Sequence, residues 1–230
     1  MLALIPHPDD ETLGCGGLLA SCYAAGWSID VLLVTDGAAS HPKAASFSAA
    51  QRRDVREREL LAALEVLGRR GRGRVVFWRK PDSLLPQLSD EERQLALTEL
   101  CDYLREGQYH TVLVPWRRDP HGDHRATYEL LQAALRELPE REQARRVLEY
   151  CVWLGRQGAL SAFPQLAEEA LTCWAHEVSP EQREQLRRAL ACHASQLGRV
   201  FDDPTGFVVP PWLASSTERR EELFLESHTP

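Results

Sequence analysis

The sequence lacks the features that mark secreted, membrane-spanning and disulfide-stabilised proteins. Its six cysteines are scattered along 230 residues and form no CxxC pair, so we expect reduced thiols rather than disulfides. No apolar run reaches the length that a membrane span needs. Since the first apolar run begins at residue 2, we also expect no signal peptide. Together these absences predict a cytoplasmic protein without a membrane span.

The chain also lacks an excess of positive charge. It has 27 basic and 34 acidic residues, a formal net charge of −7 with neutral histidines, and its basic residues are mixed with acids. The short basic cluster at residues 69–74 follows a predicted helix and is typical of a solvated helix end. Because phosphate binding needs a basic stripe or patch, we expect no nucleic acid partner. The sequence leaves the oligomeric state open, and a homo-oligomer is possible.

Short apolar runs alternate with helical patterns along most of the chain. Buried strands are predicted at 2–5, 29–34, 75–78, 111–114 and 148–153, and helices at 10–25, 50–67, 90–105 and 124–138. A further strand is predicted at 172–178, followed by a helix that starts near Ser179, and then by extended chain at about 200–230. Strands without polar alternation are typical of parallel pairing between two helical layers. The pattern predicts one α/β domain over residues 1–230, a three-layer sandwich with a mostly parallel sheet.

A histidine and three acids follow the first predicted strand. His7 precedes Pro8, which disfavours helical angles at His7 and places it at the carboxyl end of the strand. Asp9, Asp10 and Glu11 then open the first helix, where exposed N–H groups favour negative charge. In an open α/β sheet, ligands bind at the carboxyl ends of the strands. This turn can therefore bind a metal and also supply a base.

A second cluster follows the strand at 111–114. Its members are Asp119, His121, Asp123 and His124. The two clusters should meet at one edge of the sheet. A catalytic zinc site keeps three protein ligands and leaves one position open. His7, one of the two aspartates at 9 and 10, and one of the two later histidines would fill such a site.

These motifs together resemble a known family. The run Pro6-His7-Pro8-Asp9-Asp10-Glu11, with His121-Gly-Asp123-His124 about a hundred residues later, is similar to the zinc-dependent N-acetylglucosaminyl deacetylases of the LmbE-like or PIG-L-like type. Further similarities are Thr35-Asp36-Gly37, Arg56-x-x-Glu59 and His193-Ala-Ser195-Gln196. The resemblance covers roughly residues 2 to 197, and it implies a Rossmann-like sandwich with the metal at the carboxyl edge of the sheet.

The resemblance also implies a reaction, the removal of an acetyl group from an N-acetylglucosamine-type amino-sugar conjugate. The zinc ligands would be His7, Asp10 and His124. Asp9 would be the general base that takes a proton from the attacking water, since adjacent aspartates cannot both point at the metal. His121 would stabilise the oxyanion or protonate the leaving amine, with Asp123 holding it in one tautomer. Zinc suits this chemistry because it lowers the pKa of bound water to about 7.

Arg56 and His193 are the expected substrate contacts. Arg56 could instead form an ordinary i, i+3 pair with Glu59, and His193 lies on an apolar helix face, where it could be a satisfied core histidine. His41 could line the substrate mouth or belong to a plain turn. Trp116 could stack on a sugar or pack in the core.

Two other functions fit the same residues. One is a different metal-dependent hydrolase, acting on a phosphoester or another N-acyl compound. Phosphoester cleavage by two ions about 3.5–4 Å apart needs more acidic ligands, and Asp36 and Asp119 are the obvious spare acids. The other is a non-catalytic metal-binding or sugar-binding protein. The donor set also leaves the metal open, because Fe2+ or another divalent ion could take the ligands proposed for zinc.

Overall fold

Five parallel strands form the centre of the structure, a computed structural model that describes residues 1–144, 146–153 and 171–227. These strands are β1 (Leu2–Ile5), β2 (Asp30–Thr35), β3 (Val75–Lys80), β4 (Thr111–Pro115) and β5 (Arg146–Tyr150). All four residues of β1 are buried, as expected for a strand covered on both faces. Their order is β3-β2-β1-β4-β5, so β1 lies between β2 and β4.

Helices cover both faces of this sheet. One face carries α1 (Asp10–Ala24), α2 (Ala49–Val66) and α5 (Pro180–Cys192), and the other carries α3 (Asp90–Gly107) and α4 (Gly122–Glu137). Capping boxes at Ser89 and Ser179 begin α3 and α5. Each helical layer buries apolar side chains against the sheet, which confirms the predicted three-layer α/β sandwich.

The C-terminal part of the chain extends the same sheet with antiparallel strands. They are β6 (Leu171–Glu177) and β7 (Glu221–Ser227), and β7 lies between β5 and β6. A short helix, α6 (Pro211–Ala214), precedes β7. The sequence predicted only extended chain for residues 200–230. Its apolar run, Leu223 to Leu225, is too short to indicate a strand, and β7 forms because β5 and β6 offer edges on both sides.

Glu222 of β7 ties this C-terminal part to α1. The helix is interrupted at Cys15, whose φ of −148° and ψ of 16° are not helical. The Glu222 carboxylate accepts hydrogen bonds from the N–H groups of Gly17 at 2.6 Å and Leu18 at 2.8 Å. It thus satisfies donors that the interruption leaves without a helical partner.

The strand order creates a crevice beside β1. The chain runs from β1 to β2 on one side and reaches β4 on the other, so the connections leave β1 and β4 in opposite directions. Such a switch point opens a crevice beyond the carboxyl ends of the strands. The turn from β1 to α1 and the turn from β4 to α4 both lie there. In the described ranges, no helix is both long and apolar enough to cross a bilayer.

Candidate active site

The turn between β1 and α1 holds an aspartate in an unusual backbone conformation. Asp9 has φ 120° and ψ −26°, a region that non-glycine residues avoid. Its N–H donates to Glu11 Oε2 at 2.9 Å, and its carbonyl accepts from the N–H groups of Thr12 and Leu13. These bonds hold the strained turn in place, and strain of this kind concentrates at functional sites.

Three side-chain atoms from the two sequence clusters meet beside this turn. Asp10 Oδ2 lies 3.2 Å from His7 Nδ1 and 3.1 Å from His124 Nε2, and the two ring nitrogens are 3.3 Å apart. His124 is in the first turn of α4, and all three residues are buried. The two clusters therefore converge as the strand-end argument predicts. The atoms could surround one metal ion, since two imidazoles and a carboxylate form a suitable donor set.

Three carboxylates lie near the ring nitrogens of His7 and His124 that point away from Asp10. Asp123 Oδ2 lies 2.9 Å from His7 Nε2, with Asp82 Oδ1 at 3.4 Å from the same nitrogen, and Asp119 Oδ1 lies 3.3 Å from His124 Nδ1. Although burial disfavours a charged ring, Asp10 and Asp119 raise the pKa of His124 to about 9. The negative surroundings favour a cation between the rings, and carboxylates of this kind orient histidine ligands on a metal.

The carboxylate of Asp123 does not have the position predicted for it. Both of its oxygens are engaged away from His121: Oδ2 faces His7 and accepts from Ser83 N at 2.7 Å, and Oδ1 accepts from Leu85 N at 3.1 Å. The expectation that this carboxylate holds His121 in one tautomer is corrected by these contacts. The sequence spacing could not distinguish the two histidines as partners of Asp123, because the choice depends on the direction of its side chain at the start of α4.

The backbone of Asp123 orients His121 instead. His121 is the N-cap residue of α4, and its Nδ1 accepts a hydrogen bond from Asp123 N at 3.2 Å. This bond places the proton of the neutral ring on Nε2. Burial and the neighbouring His7 and His124 lower the pKa of His121 to about 4. His121 is therefore a neutral ring that can donate from Nε2.

Asp9 and Asp10 differ in pKa as well as in the groups that their carboxylates face. Burial raises the pKa of Asp9 to about 7, against the opposing charge of Arg56, whose Nη2 lies 3.6 Å from Asp9 Oδ1. Burial also opposes ionisation of Asp10, but His124 and His7 hold the pKa of Asp10 well below its ordinary value. Adjacent acids with different pKa values suit different tasks, one as a ligand and the other as a base.

Arg56 joins two loops at the wall of the site. Its guanidinium donates to the carbonyl of Pro8 at 2.6 Å and to the carbonyl of Gly37 at 2.9 Å. The alternative pairing with Glu59 is not the arrangement found, since the Glu59 carboxylate accepts from the N–H and hydroxyl of Ser195. Arg56 lies on the cavity wall, as a substrate contact must.

His193 lies behind the site rather than on the cavity wall. It is fully buried, and its Nε2 is 2.7 Å from Glu11 Oε1. Glu11 in turn holds the N–H of Asp9, so His193 supports the β1–α1 turn. This position differs from the substrate contact predicted for His193. His41 and Trp116 are buried as well. His41 packs on Phe201, with 4.9 Å between the ring centroids. Trp116 packs with Cys151 and Leu225.

A cavity of about 200 Å³ opens onto these groups. Its polar side carries His7, Asp9, Asp10, Arg56, Asp82, His121 and His124. A second, mostly apolar set of lining residues, the apolar side of the cavity, comes largely from later segments and includes Leu13, Val152, Trp153, Gln196, Phe207 and Leu213. Sequence reasoning assigned no role to Asp82, Gln196 or Phe207. An acid after the third strand was a usable signal for Asp82, and the motif His193-Ala-Ser195-Gln196 was one for Gln196, whereas Phe207 has no comparable pattern.

The family of GlcNAc-PI de-N-acetylases, PIG-L, matches residues 2–135, and the chain belongs to this family. The resemblance seen in the motifs is thereby confirmed. A 1D-myo-inositol 2-acetamido-2-deoxy-alpha-D-glucopyranoside deacetylase of Corynebacterium glutamicum is 30% identical over 154 residues, which cover 60% of this chain and 53% of that relative. The chain thus spans about half the length of the relative.

Solved structures share the fold at lower identity. The N,N'-diacetylchitobiose deacetylase from Pyrococcus horikoshii has a TM-score of 0.64 at 21% identity, over 87% of this chain and 70% of that chain. The 4-carboxy-2-hydroxymuconate hydratase GalB from Pseudomonas putida KT2440 has a TM-score of 0.69 at 19% identity, over 100% of this chain and 95% of that chain. One of these is named as a hydratase, so function has to be argued from the site.

Proposed function

We propose that this protein is a zinc-dependent deacetylase that removes the acetyl group from an N-acetylglucosamine-type conjugate. The observation that carries the proposal is the convergence of His7 Nδ1, Asp10 Oδ2 and His124 Nε2 within 3.3 Å of one another. Membership of the PIG-L family supports the substrate class. The C. glutamicum relative, named as a deacetylase of an acetamido sugar joined to inositol, supports the reaction.

His7, Asp10 and His124 would hold the metal. Their donor set fits zinc, and it fits Fe2+ as a second choice. The carboxylates on the outer nitrogens of both rings support this assignment, because each directs the inner nitrogen toward the shared centre. A zinc ion held there supplies Lewis acidity, which polarises the amide carbonyl and acidifies water.

Asp9 and His121 would move the protons. Asp9 accepts a proton from the attacking water at its carboxylate, while Arg56 limits the directions that this carboxylate can take. His121 donates from Nε2 to the oxygen that becomes negative when the amide carbon turns tetrahedral. A proton is also needed for the departing amine, and Asp9 can pass on the proton that it has taken from the attacking water.

The apolar side of the cavity would face the part of the conjugate beyond the reacting amide. Because Trp153, Gln196 and Phe207 lie on the same cavity as the reactive groups, we infer that residues 1–230 act as one deacetylase domain. All six cysteines are unpaired, which supports a reducing compartment such as the cytoplasm.

Release of free amine from a panel of N-acetylglucosamine conjugates tests the proposal. The panel pairs zinc-loaded wild type with chelator-stripped protein, and Asp9→Asn serves as the background. We expect amine release that disappears on stripping and returns with zinc. No release from any conjugate, with one zinc bound per chain, would contradict a deacetylase.

A second candidate is a two-metal hydrolase of phosphoesters. Asp82 and Asp123 both approach His7 Nε2, and these three residues form a group that could hold a metal ion, as do His7, His121 and His124. However, Asp123 already accepts from two backbone N–H groups and Asp82 from Ala39 N. Two zinc ions per chain together with phosphoester cleavage would favour this candidate over the deacetylase.

A further inference from the structure

Gln196 is a buried polar residue on the apolar side of the cavity. It lies in a short 3-10 helix, Ala194–Leu197, and its side chain is fully buried. The preceding residue anchors this helix, because Ser195 N and Oγ donate to the Glu59 carboxylate at 2.8 and 2.6 Å. On the other side, Val209 N donates to the Gln196 carbonyl at 2.8 Å. The Gln196 side chain is therefore carried on a fixed backbone.

The neighbouring hydroxyls determine which way the Gln196 amide points. Ser195 Oγ has one hydrogen and gives it to Glu59, so it can only accept from Gln196. The Gln196 atom at 3.0 Å from this hydroxyl must then be Nε2, which also lies 3.4 Å from Ser40 Oγ. With the nitrogen held on this side, the oxygen Oε1 faces away from both serines.

Gln196 Oε1 has no hydrogen-bond partner among the residues that the structure describes, although it is buried. A buried acceptor without a partner is unfavourable, and such groups in native proteins call for an explanation. Gln196 lines the cavity, and the buried donors Trp153 Nε1 and Arg56 Nε of two other lining residues are not hydrogen-bonded to it. A molecule that fills the cavity is therefore a source for the missing donor.

We propose that Gln196 Oε1 accepts a hydrogen bond from a ring hydroxyl of the amino-sugar substrate. The inference rests on the proposed function, which supplies a sugar with several hydroxyl donors. Gln196 would then be a binding residue that distinguishes a hydroxylated sugar ring from an isosteric ring without that hydroxyl. A site that leaves a buried acceptor unpaired discriminates strongly against the ligand lacking the donor.

Deoxy analogues test this contact directly. The probes are an N-acetylglucosaminide and its 3-, 4- and 6-deoxy derivatives, assayed for amine release with wild type and Gln196→Met. We expect one derivative to lose about tenfold in kcat/KM with wild type. On the parent compound, Gln196→Met should lose about tenfold in kcat/KM relative to wild type, because the variant lacks the acceptor. On the one derivative that lacks the hydroxyl, the variant should be little slower than wild type, because the contact is already absent there.

Two features keep the test decisive. Gln185→Met is the matched control, since Gln185 on α5 donates to the carbonyl of Val66 at 2.7 Å and is not on the cavity wall. The wild-type series alone also tests the proposal if Gln196→Met does not fold. The proposal would be overturned if wild type released amine from all three derivatives as fast as from the parent compound. An equal fractional loss by Gln196→Met on every compound would overturn it as well. No amine release from the parent by wild type would instead overturn the proposed function.

Discussion

Residues 2–135 and the segments that follow contribute to one cavity in different ways. The first region, which is the part matched by the family, supplies every residue that we assign to the metal and to proton transfer. The later region supplies Trp153, Gln196, Phe207 and Leu213, which are mostly apolar. Reactive groups and most of the apolar cavity lining therefore come from different parts of the chain.

The strongest test of this division uses the two adjacent aspartates of the first region. Asp9→Asn should keep zinc and lose about a thousandfold or more in kcat, because it removes the base and leaves the ligands. Asparagine has nearly the same shape as aspartate, so the substitution should add no backbone strain at this position. Asp10→Ala should lose zinc itself. Metal analysis and amine release check both, and two variants that bind zinc equally and stay active would contradict the assignment.

Asp123 tests whether the carboxylate supports the metal ligand or the catalytic histidine. Asp123→Ala should weaken zinc binding about 10- to 100-fold, because His7 loses its partner at Nε2. Competition with a chromogenic chelator measures this affinity. Asp90→Ala is the matched control, an exposed acid in the first turn of α3. Unchanged zinc affinity with a lower kcat would instead support the role predicted from sequence, in which Asp123 orients His121.

Glu222 tests how the later region supports the first. Burial raises the pKa of Glu222 to about 7, against the hydrogen bonds from Gly17 and Leu18. A folded-state pKa above the unfolded value means that the folded protein binds the extra proton, so stability from this group falls as pH rises between about 4.5 and 7.

Glu222→Gln removes this titration. The free energy of unfolding of the variant, relative to wild type, should therefore rise by on the order of 2 kcal/mol between pH 5 and pH 8. Urea unfolding at the two pH values measures the difference. A difference that does not change with pH would show that Glu222 is ionised throughout in the folded protein.

The smallest effect is expected at the apolar wall. Phe207 contributes apolar surface to the cavity but no reactive group, and its ring centroid lies 6.0 Å from that of Trp153. Phe207→Ala should raise KM less than about tenfold with zinc content and kcat nearly unchanged, as expected for uniform binding. Phe207→Leu should restore part of the loss. A large fall in kcat would mean that the wall also positions the reacting amide.

The first region was also the easier one to predict from sequence. Apolar runs identified the parallel strands, and His7, Asp10 and His124 stood where two such strands end, so their convergence followed from topology. The direction of the Asp123 carboxylate depended on a rotamer and on the loop that carries Ser83. His193 gave the same helical pattern whether it faced substrate or Glu11. The place of Gln196 on the cavity and the pairing of β7 depended on contacts between remote segments, which no local pattern encodes.

Anomalous diffraction at the zinc edge, from crystals of the zinc-loaded protein, would locate the metal among these side chains. We expect one peak, about 2.0–2.2 Å from His7 Nδ1, an Asp10 oxygen and His124 Nε2. Asp9 should stand outside this set of ligands. A peak between His7 Nε2, Asp82 and Asp123, or two peaks per chain, would contradict the assignment of the metal site.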